Sequence, residues 1–183
     1  MEKSTLARIR DELLETYAIN DAMNQLLLAH LDPRAWRAQP PGSEGRQGRT
    51  IAAIFAHLHN ARLRWLRNSA PHLTSPAPLD PHRGTMKQAA HKKCAAQCLR
   101  MLAEALSDQP GKRVTRFFRD SWMPIWRPGG AMFCYMFSHG AHHRGQILML
   151  AHQLGSQLPA QARGGIWWWD KLWKQQGLRS RKP

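Results

Sequence analysis

The chain has 183 residues, enough to bury a core without disulfide or metal staples, and sets 27 Lys+Arg against 12 Asp+Glu for a formal net charge of +15. Cys94, Cys98 and Cys134 are an odd set on helical patterns, which excludes a secreted disulfide scaffold, and no window approaches the ~18 uninterrupted apolar residues of a membrane helix. The charged start, Met1 to Arg10, lacks the apolar run of a signal peptide, so a cytoplasmic protein with no membrane partner is expected. The charge raises nucleic acid as a partner, but the basic residues scatter over loops and helix faces and cluster only at Arg179 to Pro183. That is the pattern of a solvated surface, and nucleic acid is not expected.

In chain order, Leu6, Ile9, Leu13, Tyr17, Leu27 and Leu31 repeat at three and four and predict a helix from about Ser4 to Leu31. Asn20 and Asn24 lie on the same stripe, so they are either buried and hydrogen-bonded or facing a cavity. From Asp32 to Arg49, Pro33, Pro40, Pro41, Gly42, Gly45 and Gly48 rule out a regular element. A second helix begins near Thr50, a suitable N-cap, and carries Ile51, Ile54, Phe55, Leu58, Trp65 and Leu66 together with His57 and His59. The segment Pro71 to Gly84 is a second long loop.

The third helix is predicted from about Thr85 to Ser107, with Met86, Ala90, Cys94, Met101 and Ala105 inward; Cys94 and Cys98 read as small core residues. Asp108 to Gly130 places Val114, Phe117, Phe118, Trp122, Ile125 and Trp126 among prolines and glycines, which predicts a loop packed down on the helices. The fourth helix, Ala131 to Leu154 with Gly155 as C-cap, is apolar nearly all round from Met132 to Phe137 and is predicted to be the most buried. A short helix from Ile166 to Gln176 carries Trp167, Trp168, Trp169 and Trp173, four of the eight tryptophans, as a cap over the open end of the helices. The fold expected is all-α: a four-helix bundle with long connections and a short Trp-rich C-terminal helix capping it. Residues 1–178 form one domain and 179–183 a basic tail.

The chemistry concentrates in Phe137 to Ile147. His139 and His143 are four apart on one helix face, where both can hold one metal ion. At ~100° per residue, Met132, Met136, Leu150 and Leu154 flank them and Gln146 projects the same way, while Arg144 and His152 project outward. Polar groups at the centre of an apolar stripe are costly unless satisfied, and a metal satisfies them. A third ligand must come from another helix. His57 and His59 lie at similar angles on opposite flanks of the second helix, so periodicity does not separate them. His30, His72, His82, His91 and His152 fall in loops or on outward faces.

Ile54-Phe-Ala-His-Leu58, then Trp65-Leu66, then His139-Gly-Ala-His-His-Arg-Gly-Gln146, resemble the DinB-like (DinB/YfiT) superfamily of metal-binding four-helix bundles, and Trp168 to Trp173 resembles a C-terminal cap of some members. The resemblance implies His57 as the third ligand beside His139 and His143, and one divalent transition metal, zinc first with nickel, iron or manganese as alternatives. It also implies an open position for water or a small-molecule substrate, and chemistry of the hydrolase or thiol S-transferase type with a low-molecular-weight thiol as cosubstrate. His142 and His59 are candidate acids or bases near neutral pH, each with a surface or rim position as the plainer reading. Asn20, Asn24 and Gln146 are candidate contacts to the metal ligands or the substrate, in a pocket lined by Asn20, Asn24, Trp65 and Tyr135.

Many relatives carry Glu directly after the first histidine of the pair, where this chain has Gly140. Ser121 to Trp169 contains no carboxylate, so the site draws one from Glu44, Asp120 or another segment, or does without it. Homodimerisation through an exposed helix face is an expectation without a residue pattern of its own. The rival reading is a basic helical nucleic-acid- or protein-binding module with a vestigial or regulatory metal site, distinguished from an enzyme by whether a pocket opens at the metal.

Overall fold

A computed structural model describes residues 4–41, 48–80 and 87–178. Helix α1 (Thr5–His30) starts where the Ser4 hydroxyl accepts from Ala7 N at 3.3 Å, and α2 (Ile51–Ser69) where Thr50 Oγ1 accepts from Ala53 N at 3.2 Å; both hydroxyls satisfy amides that the first helical turn leaves unpaired. Helix α3 spans Gln88–Ala105. The predicted start of that helix at Thr85 and Met86, the carboxylate of Glu44 and the basic tail 179–183 lie outside the described residues. Helix α4 (Gly130–Gln153) ends at Leu154 and Gly155; Gly155 takes φ +66°, and Ser156 N donates back to Ala151 O at 2.9 Å. A residue with a Cβ would be strained in that left-handed turn.

The four helices pack as the expected bundle, and among the described residues there is no strand, only an isolated bridge. In that bridge Phe117 and Trp126 exchange amide hydrogen bonds at 2.8 and 3.0 Å. It closes a hairpin-like turn in the connector. Val114 and Phe117 are buried under it, while Trp122 at the tip is 78% exposed and Ile125 55%, so only part of the connector packs down as predicted. The segment after α1 contains one 3-10 turn, Pro33–Trp36, with proline at its first position where its missing N–H costs nothing.

The core has two clusters. One joins Ile19, Met23 and Leu27 to Phe55, Leu58, Ile147 and Leu150 and runs on into the C-terminal segment. The other joins Tyr17, Trp65 and Leu66 to Met101, Phe117, Met132 and Met136. Each long helix also buries polar side chains, among them Asn20, Asp21 and Asn24 on α1, His59 and Arg62 on α2, His91 on α3, and His143 and Arg144 on α4.

Two expectations need correction. Helix α2, not α4, is the most buried: 13 of its 19 residues are interior against 9 of 24 in α4. The first turns of α1 overrun the core, leaving Leu6 67% exposed. The expected short C-terminal helix is present as α6 (Trp169–Gln175), preceded by a further short helix, α5 (Ala160–Gly165). Ile166, Leu172, Trp169 and Trp173 pack on the core, whereas Trp167 and Trp168 face out.

Candidate metal centre

His57 is presented by α2, and His139 and His143 by successive turns of α4. One ligand atom from each imidazole can be chosen so that all lie within 4.8 Å of one another. His57 Nε2 and His139 Nε2 are 3.2 Å apart, close to the ~3.3 Å that two nitrogens adopt on a tetrahedral zinc ion. Burial lowers the pKa of His57 to about 4, helped by the charges of His143, Arg49 and Arg64. It lowers that of His139 to about 3, and His143 is shifted down for the same reason although its bond to Gln146 opposes the shift. Neutral imidazoles with facing lone pairs are ligands awaiting a cation. The residues therefore fit a divalent metal.

Gln146, exposed at the edge of α4, places Oε1 at 2.7 Å from His143 Nδ1. An amide oxygen accepts, so Nδ1 carries the proton and Nε2 is free to ligate. Trp65 meets His139 edge-on at 5.1 Å between centroids, and the Tyr135 ring stacks on it at 6.2 Å. Tyr135 is backed in turn by the Arg119 guanidinium, 3.8 Å above Trp126 and 4.7 Å from Tyr135. Of the two carboxylates considered for the site, Asp120 is near enough to raise the pKa of His57, but Arg64 Nε holds it at 2.9 Å.

Asn20 and Asn24 are fully buried, and their partner is Arg144. Its Nη1 donates to Asn20 Oδ1 at 2.8 Å, to Asn20 O at 3.3 Å and to Asn24 Oδ1 at 3.3 Å. Arg144 thus turns inward, against its predicted outward position, and burial followed by the charge of Arg62 lowers its pKa to about 10. The asparagines pin α4 to α1 at the residue next to His143.

His142 is exposed, its ring edge-on to His143 at 4.8 Å. His59, expected at the surface or rim, is buried and lies 2.9 Å from Ala77 O; with Asn60, which bonds both the amide and the carbonyl of Leu79, it ties down the loop after α2. The flank that periodicity left open is settled by what each histidine meets: α4 on one side, the 71–80 loop on the other.

Sequence reasoning missed a second polar cluster. His91, predicted to face outward, is fully buried with Nε2 3.0 Å from Asp21 Oδ1, and Arg62 Nη1 donates to the same oxygen at 2.9 Å. The available signal was Arg62 itself, a charge on the same helix face as Leu58, Trp65 and Leu66.

Beside the centre, a cleft of about 520 Å³ is lined by Arg49, Ile54, Gln146 and Leu150 among others. It opens one turn along α4 from His143, not between Asn20, Asn24, Trp65 and Tyr135. Arg49 contributes to lowering both His57 and His143, so a cation stands at this edge of the site. No described helix is long and apolar enough to cross a membrane.

Among known protein families, the profile of the DinB family aligns with residues 1–174. No curated protein and no solved structure matches.

Proposed function

The chain belongs to the DinB family, and from that premise we propose that it is a metal-dependent transferase that joins a low-molecular-weight thiol to a small electrophilic substrate. His57, His139 and His143 would hold the ion, and at least one coordination position would stay open. A divalent metal there supplies Lewis acidity, lowering the pKa of a thiol or water bound to it.

The observation that carries the choice of thiol over water is the shortage of a free carboxylate beside the centre among the described residues. Position 140 is glycine, and Asp120 is engaged by Arg64. Hydrolysis ordinarily needs a positioned acid or base to move protons between water and leaving group. A thiol, with a pKa of about 8.5, needs only a modest shift to be ionised at neutral pH and makes less demand on the protein. The side chains present serve that chemistry: Gln146 fixes the His143 ring, Trp65 and Tyr135 wall off one side, and His142 at the rim is the candidate for accepting the released proton.

Elemental analysis of chelator-free protein tests the centre. About one metal per chain is expected, lost in His57→Ala, His139→Ala and His143→Ala and kept in His59→Ala. Full metal in the triad variants removes the proposal. With the metal-loaded protein, conjugation of a small thiol to chlorodinitrobenzene should outpace hydrolysis of nitrophenyl acetate; hydrolysis without thiol dependence would reassign the reaction.

A further inference from the structure

The outer face of α4 carries two clefts that meet. The first is the 520 Å³ cleft beside the triad, with Arg49 and Gln146 in its wall. The second, of about 450 Å³, lies between α4 and α5 against Leu148, Ile166 and Trp167. Gly145 and Met149 line both. Each volume is in the range of small-molecule sites, about 300–1,000 Å³.

Gly145 sits within α4, where glycine costs about 1 kcal/mol relative to alanine, yet a Cβ built there meets nothing within 4 Å. Helix packing does not ask for glycine at this position. It keeps the junction of the two clefts open. Beside it Met149 is 58% and Trp167 77% exposed, apolar surface left open by the described residues. The charge is one-sided: among the described residues the two linings include Arg49, His152 and Arg163 and no carboxylate. Arg49 makes no ion pair with a described residue, unlike Arg64 in its bond to Asp120.

We infer that the joined clefts bind an organic anion with an apolar tail, its carboxylate or similar head group at Arg49 next to Gln146 and its tail across Gly145 onto Met149, Ile166 and Trp167. This names a substrate class for the proposed metal centre and rests on that reading for its catalytic meaning, since the head group lies one side chain from His143. Binding itself needs only the cation and the groove. Continuity with the triad favours a small ligand over a second copy of the chain, and a second copy would set one cationic rim against another.

Isothermal titration of the full chain, as purified, with octanoate, octanamide and acetate tests it. Octanoate should bind about tenfold or more tighter than either comparator, the first difference reporting the charge and the second the tail. Arg49→Gln should remove the preference over octanamide, and Arg49→Lys should keep most of it, because a point charge suffices for a monodentate contact. Gly145→Leu and Trp167→Ala should weaken octanoate and leave acetate unchanged. Octanoate and octanamide binding alike, or no effect of Arg49→Gln, overturns the inference, as does a dimer dispersed by Trp167→Ala in a chain that binds no octanoate. His139→Ala and the wild type together separate the two readings: octanoate preference kept in His139→Ala without metal upholds the cleft independently, whereas a wild-type chain with normal metal content and no such preference leaves the metal centre standing and removes the cleft.

Discussion

A side chain at position 140 would meet α1. The Cβ of an alanine there would lie 3.0 Å from Asn20 Nδ2, and Asn20 is not free to move because Arg144 holds its Oδ1 at 2.8 Å. Replacing glycine in a helix by alanine ordinarily gains about 1 kcal/mol, while overpacking a tight contact costs about 1–3 kcal/mol. Gly140→Ala should therefore lower the urea midpoint, with a net loss of about 1 kcal/mol, and the same change in an Asn20→Ala background should raise it. A midpoint that rises in the wild-type background would mean that Asn20 yields, and that position 140 is free to carry the acidic residue of relatives. The His139 and His143 pair was legible because ligand spacing is a local property of one helix. The inward turn of Arg144 was not, because its partners stand more than a hundred residues away on α1.

At the scale of elements, the long helices are tied by charge as well as by apolar packing. Asp21 on α1 is the meeting point of Arg62 on α2 and His91 on α3. Burial by itself raises the Asp21 carboxyl, but His91 and Arg62 overcome it and hold its pKa at about 2 against 3.8 in free peptides. The unfolded chain then binds more protons between those values, so the contribution is complete above pH 3.8 and is lost as pH falls toward 2. It amounts to about 2 kcal/mol. Unfolding in urea across that window should show this fall in the wild type and a shallower one in Asp21→Asn; identical slopes would mean that the cluster does not titrate with folding. The rank of α2 as the most buried element follows from the same arrangement. It packs against α3 and α4 and under the 71–80 loop, whereas α4 gives its outer face to the clefts, a distribution that apolar content alone does not reveal.

For the whole molecule, stability and the metal centre are separable. Neither apolar cluster includes a histidine of the triad. Removing metal with a chelator should leave the far-ultraviolet helical signal and cooperative melting intact, and should lower Tm only by the binding energy of the ion. Loss of the helical signal on chelation would make the site structural. The high positive charge, too, is partly internal: Arg62, Arg119 and Arg144 are buried and are spent on carboxylate, aromatic and amide partners inside the bundle. A count of basic residues does not distinguish these from solvated ones.

The sequence by itself determined the four long helices, the end signals at Thr50 and Gly155, and the histidine pair on α4, because each depends on periodicities and end signals within a few turns of one element. Periodicity left His57 and His59 level and the family resemblance chose His57; only the tertiary structure decided how His57 meets that pair, that His91 and Arg62 share Asp21, and that the cleft by the triad opens toward Arg49 and Gly145. Those facts depend on how far each helix is rotated about its own axis and on which loop covers which flank. Rotation and cover are fixed by packing between segments far apart in the chain, and local patterns carry no record of them.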